Sequence, residues 1–157
     1  MELIRLTDCQ SDAFSCICRW YYHWLGKENS ESPEEVLETM RHSLNTARLP
    51  QTFVVLVEGK PVGMYQLAMC DDLATRPDLY PWLINLYVDE AFRGLGAARF
   101  MLESVQDTAR AAGLEELYLY TKHKGLYEKF GWEYVETVRN FRKGESLERV
   151  YRLTIRR

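Results

Sequence analysis

The order of hydrophobic periods along the chain predicts an α/β fold of the α+β kind, one mixed sheet with helices on its faces. Three observations carry this expectation. Apolar residues switch between helical and strand spacing several times over the 157 residues. Turn residues, such as Gly26, Gly59, Gly113 and Gly131, stand where the period changes. No linker, repeat or low-complexity tract breaks residues 1–157, so one domain around one core is expected, and a 46% apolar composition is ample to fill it.

Each element follows from its own residues. Leu3-Ile4-Arg5-Leu6 alternates as a short strand, and Phe14, Ile17, Cys18, Tyr21, Tyr22 and Leu25 then recur at helical spacing until Gly26 stops them. Ser32-Pro33-Glu34-Glu35 offers a capping hydroxyl, a proline preset for the first turn and a glutamate that reaches back to the cap, so a second helix follows with Val36, Leu37, Met40 and Leu44 inward. Residues 53–57 and 62–69 flank Glu58-Gly59-Lys60 as an antiparallel hairpin. A polar loop over 71–80 leads to Leu83-Ile84-Asn85-Leu86-Tyr87-Val88, nearly all apolar and therefore read as a central strand covered on both faces. Ala97, Phe100, Met101, Leu102, Val105 and Ala109 outline a long helix ending at Gly113. A strand over 117–120, a short helix over 126–130 closed by Gly131, and two strands over 132–138 and 147–155 complete the chain.

Composition removes several function classes. A formal charge of −3 does not suit a protein whose partner is the phosphate backbone, so no nucleic-acid partner is expected. The basic cluster Arg139, Arg142, Lys143, Arg149, Arg152, Arg156 and Arg157 and the acidic one from Glu28 to Glu38 read as oppositely charged solvated faces. No apolar stretch approaches the roughly 18 residues that span a bilayer, so no membrane insertion is expected. Cys9, Cys16, Cys18 and Cys70 have neither metal-ligand spacing nor the density of a disulfide framework, and no signal peptide precedes them. They read as reduced, mostly packed thiols in a cytoplasmic protein, and no metal is called for.

The chemistry begins where the central strand ends. Asp89-Glu90-Ala91-Phe92 runs into Arg93-Gly94-Leu95-Gly96-Ala97-Ala98, whose glycines let the backbone turn tightly and approach a ligand without interference from Cβ. Several amides then converge at the start of the long helix, where unpaired donors and the helix dipole attract an anion such as a pyrophosphate. The run is neither G-x-x-x-x-G-K-[ST] nor G-x-G-x-x-G, which sets aside the usual nucleotide-binding loops. Taken alone it could also be an ordinary strand-to-helix turn.

Residues 88–98 resemble the acetyl-CoA signature of the GNAT N-acetyltransferases, an Arg or Gln, two residues, Gly, one residue, then Gly or Ala; Arg93, Gly96 and Ala98 fill its positions. Downstream, Leu126-Tyr127-Glu128-Lys129-Phe130-Gly131-Trp132 resembles the short helix and Gly-aromatic step that closes the same family's cofactor cleft, and Pro81-Trp82-Leu83 resembles a bacterial branch. The resemblance covers essentially the whole chain. It implies a GNAT-like central mixed, mostly antiparallel sheet of about six to seven strands flanked by about four helices, with acetyl-CoA as co-substrate. The cofactor would meet the amides of Arg93, Gly94, Leu95, Gly96, Ala97, Ala98 and Arg99, the backbone of Leu86, Tyr87 and Val88 as an added strand would, and Tyr127 beside its sulfur.

What the resemblance implies chemically is acetyl transfer to a primary amine of a small molecule or peptide, by direct attack in a ternary complex without a covalent enzyme intermediate. That leaves the cysteines no nucleophilic role. Tyr127, a phenol of pKa about 10, is the expected general acid for the departing thiolate. Its other reading is a half-buried helix tyrosine. Many relatives carry a central-strand glutamate as base, whereas residues 82–88 hold no carboxylate. Asp72 and Asp71 are the next choices, directly or through water, with His123 behind them, although paired acids in a loop are also ordinary solvated turn residues. The asparagine that often follows the strand ending at Tyr120 is absent, and Lys122 or Lys124 could meet phosphates there instead.

Tyr22, Trp24 and Trp82 are the candidate acceptor-binding aromatics, although an aromatic stripe at helical spacing can equally be core. The missing carboxylate keeps a second reading open, a non-catalytic acyl-CoA-binding regulatory module of the same fold. The final strand, read as an exposed edge, could pair with a copy of itself and make a homodimer.

Overall fold

The computed structural model describes residues 1–73 and 75–157. The order is β1 (Glu2–Leu6), α1 (Asp12–Tyr21), α2 (Pro33–Arg41), β2 (Gln51–Val57), β3 (Lys60–Ala68), β4 (Trp82–Val88), α3 (Ala97–Ala111), β5 (Glu116–Thr121), β6 (Glu133–Asn140) and β7 (Ser146–Thr154). The seven strands form one mixed sheet in the order β1-β2-β3-β4-β5-β7-β6. Its β4–β5 pair is parallel, while β1–β2, β5–β7 and β6–β7 are antiparallel.

Local chemistry accounts for the boundaries. Ser11 caps α1 by accepting the Phe14 amide at 3.2 Å. The helix then runs into a single π-helical turn, Tyr22–Gly26. In α2 the capping box is complete: Ser32 Oγ accepts the Glu35 amide at 3.1 Å, and the Glu35 carboxylate accepts the Ser32 amide at 2.7 Å. Glu58 and Gly59 both have positive φ, as the tightest hairpin connection requires, and β2 and β3 flank them. Among the described residues three α-helices run for more than two turns, and the short helix expected over 126–130 is present as a 3₁₀ turn, Tyr127–Phe130, ended by left-handed Gly131. Residue 74 of the expected 71–80 loop lies outside the described residues.

Two compact units make up the chain, residues 1–66 with 85–101 and residues 67–84 with 102–157. In the first, Leu6, Phe14, Ile17, Trp20, Val36, Met40, Val54 and Met64 pack as one apolar cluster. In the second, Leu73, Trp82, Tyr118 and Val150 form another.

Three expectations need correction. The central strand is not covered along its whole length: Trp82 and Leu83 are buried, but Ile84 to Val88 are only half-buried. Among the described residues the β4–β5 register likewise comprises one pair, Trp82 with Tyr118. The final strand is not an edge, because β7 lies between β5 and β6 and pairs with both; β6 is the edge, so the premise for self-pairing through the last strand falls. Finally, Cys70 is exposed rather than packed, since it lies just past the end of β3, while all four thiols are free.

Candidate functional site

In the first unit the site is the end of β4 and the opening of α3. Asp89 organises it: one carboxylate oxygen accepts the Ala91 amide at 2.9 Å, turning the chain into a short 3₁₀ turn, and the other accepts Trp20 Nε1 at 2.8 Å. The Arg93 side chain folds back, donating from Nε to the Val88 carbonyl at 3.2 Å and pairing with Glu90 at 3.6 Å. Its guanidinium lies 6.0 Å from the Tyr87 ring, which Trp20 and Trp24 flank at 5.5 and 5.1 Å.

Gly94 and Gly96 both occupy the left-handed region, at φ +78° and +87°, and nothing stands within 4 Å of where a Cβ would project. The backbone is therefore uncovered where α3 begins, with the Phe100 amide already bonded to the Gly96 carbonyl at 2.9 Å. A helix start presents its first-turn amides outward. Those of Ala97 and Ala98, beside two glycines with open space, make a cradle that fits a pyrophosphate by its donors and its lack of side-chain obstruction. Leu95 is exposed and Ala97 buried, so the turn presents backbone on one side and anchors the helix on the other.

Gly63 supports this strand from β3. A Cβ there would meet the Tyr87 carbonyl oxygen at 2.9 Å, so glycine is what lets β3 approach the backbone of β4 at this point.

The second unit holds the titratable candidates. Tyr127 is buried, its ring 6.2 Å from Trp132 and 6.0 Å from Tyr151, and burial raises its phenol above the ordinary value. The proton is thus retained at neutral pH, as a general acid for a thiolate needs. Beyond it, Tyr151 Oη donates to Glu128 at 2.7 Å and accepts from Arg149 at 2.9 Å.

Asp71 and Asp72 are half-buried beside Tyr120. Asp71 Oδ1 accepts the Asp72 amide at 2.7 Å, and the Tyr120 hydroxyl donates to Asp72 Oδ1. Burial, reinforced by the Asp72 charge, pushes the Asp71 carboxyl up to about 7, against the lowering effect of the Asp72 amide and of Lys143. Burial and the neighbouring carboxylates hold the Tyr120 phenol well above its ordinary range. The Lys143 ammonium stands 5.2 Å from the Tyr120 ring.

The structure brings Asp71 and Asp72 together and adds Tyr120, which sequence reasoning missed. Their bond links positions 48 apart, and nothing local to Tyr120 announces it. His123 is exposed, with Lys122 and Lys124 exposed on either side. Among the acceptor candidates, Tyr22 is half-buried and Trp24 is 37% exposed on the π-helical turn, so both have accessible surface. Trp82 differs: at 2% exposure, with Nε1 donating to the Leu79 carbonyl at 2.7 Å, it packs in the core and offers no open face. Asn85 was also missed, although one signal was available, since it is the lone polar residue in an otherwise apolar strand run.

Comparison with known proteins adds the family. The model of the acetyltransferase (GNAT) family matches residues 15–132, which contain Gly94, Gly96 and Tyr127. Among solved structures, an aminoglycoside 6'-acetyltransferase type Ii is similar with a TM-score of 0.75 at 15% identity, over 100% of this chain and 99% of that one. An aminoglycoside 6'-N-acetyltransferase complexed with coenzyme A gives 0.75 at 13% identity, over 100% and 98%. A GNAT family acetyltransferase from Elizabethkingia anophelis with acetyl-CoA bound gives 0.55 at 17%, over 67% and 76%. At these identities the likeness is one of fold. No curated protein matches by sequence.

Proposed function

We propose that this chain, which belongs to the GNAT family of acetyltransferases, transfers an acetyl group from acetyl-CoA to a primary amine of a small molecule or peptide. The observation that carries this reading is the turn from Arg93 to Ala98, where two left-handed glycines leave the start of α3 uncovered inside the region matched by the family. In this reading the amides of residues 93–99 take the pyrophosphate, and the backbone of Leu86, Tyr87 and Val88 takes the pantetheine arm. Solved structures of the same fold carry coenzyme A or acetyl-CoA, which supports that assignment.

The amine nitrogen attacks the thioester carbonyl carbon, the carbon–sulfur bond breaks, and the nitrogen loses a proton as the amide forms. Asp71, with its carboxyl near 7, is the base of this reading: ionised above that pH, it takes the proton directly or through water. Asp72 is engaged by the Tyr120 hydroxyl and holds that tyrosine. Tyr127 gives its proton to the coenzyme A thiolate. Four free thiols suit a reducing compartment, so the reading includes a cytoplasmic location.

Calorimetric titration with acetyl-CoA, for wild type and for Gly96→Val with Ala98→Leu, tests the cofactor site. Micromolar binding that the double variant loses supports the reading; no binding by folded wild type removes it. The absence of a carboxylate from residues 82–88 favours a second reading, a non-catalytic acyl-CoA-binding regulatory module. Tyr127→Phe separates the two. Turnover lost with coenzyme A binding intact supports the enzyme, and a wild type that binds acetyl-CoA but acetylates no amine supports the module.

A further inference from the structure

Asn85 lies within β4 at φ +52°, in the left-handed region. Most side chains enter that region at a cost, asparagine more readily than most because its short amide bonds locally. Its amide begins a chain of hydrogen bonds through the first unit. Nδ2 donates to Gln66 Oε1 at 2.7 Å, and Gln66 Nε2 donates to Thr52 Oγ1 at 2.9 Å. Thr52 Oγ1 and Ser43 Oγ are 2.6 Å apart, and Ser43 Oγ donates to the Met40 carbonyl at 2.6 Å.

The direction of every link follows from the far end. A carbonyl oxygen only accepts, so Ser43 gives its one hydroxyl proton to Met40. Thr52 must then donate to Ser43. Having used its proton, Thr52 can only accept, so Gln66 must present its NH₂ group there and its oxygen to Asn85. Asn85 in turn must present NH₂ to Gln66, which leaves its Oδ1 as an acceptor of fixed direction. No donor among the described residues reaches that oxygen. Gln66, Thr52 and Ser43 are 4%, 0% and 2% exposed, whereas Asn85 is half-buried, so the accessible end of the chain is this unpaired acceptor.

We infer that Asn85 Oδ1 binds an N–H of the amine substrate and orients its nitrogen for attack. The inference rests on the acetyl-transfer reading above and adds to it the residue that holds the nucleophile. Asn85 adjoins Leu86 along β4, where that reading places the acyl-bearing arm. An acceptor without charge steers the nitrogen lone pair without competing for its proton, and the buried part of the chain prevents the amide from flipping to present NH₂ instead. Asn85 is thus a positioning residue for the amine, and the base is elsewhere.

Steady-state kinetics with 1,3-diaminopropane, tyramine and a tetrapeptide bearing a free N-terminus test this, on wild type, Asn85→Gly and Asn85→Asp. Glycine tolerates the left-handed backbone, so Asn85→Gly removes the acceptor and keeps the strand conformation. It is expected to raise the amine KM about tenfold or more, while the acetyl-CoA Kd stays within about twofold. Asn85→Asp, measured above pH 7 where Asp71 is ionised, keeps an oxygen in the place of Oδ1 but cannot donate to Gln66, and its amine KM is expected to lie between those of wild type and Asn85→Gly. An amine KM unchanged in Asn85→Gly overturns the inference and leaves acetyl transfer standing. A purely structural role would instead lower thermal stability and shift the amine and acetyl-CoA constants together, which also overturns it. A wild type that binds acetyl-CoA but accepts none of the three amines removes the acetyl-transfer reading for these acceptor classes, and the inference with it.

Discussion

The Tyr120 hydroxyl donates to Asp72 Oδ1, tying the last part of β5 to the chain segment that follows β3. The bond is half-buried and its acceptor is a carboxylate, the combination in which a single hydrogen bond contributes most. Tyr120→Phe keeps the ring's contacts with Trp82 and Lys143 but removes the donor. A stability loss of about 1.5–3 kcal/mol in chemical denaturation is expected. A loss below about 0.5 kcal/mol would mean that water replaces the tyrosine without cost.

Asp71 gives a pH-dependent prediction of definite sign. Its folded carboxyl is raised to about 7, so the native state holds a proton that the unfolded chain releases near 4. Stability from this group is therefore present in full below about pH 4, declines as pH rises towards 7, and is level above that. The amide introduced by Asp71→Asn does not titrate. The stability of Asp71→Asn relative to wild type is expected to be more favourable at about pH 8 than at about pH 5, read as the difference in Tm between the two proteins. If Asp71 is the base, the same variant loses turnover at about pH 8, where the wild-type carboxyl is ionised.

Gly63 stands in a close backbone approach to β4. Gly63→Ala would place a methyl 2.9 Å from the Tyr87 carbonyl oxygen and 3.2 Å from Met101 Cε. Met101 can move, but the carbonyl belongs to a strand and cannot yield without shifting Tyr87. A destabilisation of about 1–3 kcal/mol is expected, with weakened acetyl-CoA affinity measured by calorimetry. Unchanged affinity would remove the backbone near Tyr87 from the cofactor site.

Ser32→Ala is the control. It deletes the hydroxyl that accepts the Glu35 amide and leaves α2 without its side-chain cap. A cost of about 1 kcal/mol in urea denaturation is expected, with acetyl-CoA affinity unaltered. A large fall in affinity would show that α2 contributes to ligand binding through its N-terminal turn.

What the sequence determined by itself is what depends on near neighbours. The capping box at Ser32 to Glu35, the tight turn at Glu58 and Gly59, and the glycine turn opening α3 each involve residues a few positions apart, so their chemistry is visible in the order of letters. The period of apolar residues likewise fixes which segments are helix and which are strand, because burial acts on one face at a time. The tertiary structure decided what depends on distant pairs. Only the sheet order puts β7 inside and β6 at the edge, since strand sequence carries no label for its neighbour. Asp72 meets Tyr120 across 48 positions, and Asn85, Gln66, Thr52 and Ser43 become one directed chain only when four separate segments converge. The carboxyl of Asp71 gains its raised pKa from its own burial, because desolvation is a property of what surrounds a group in space and not of its neighbours along the chain.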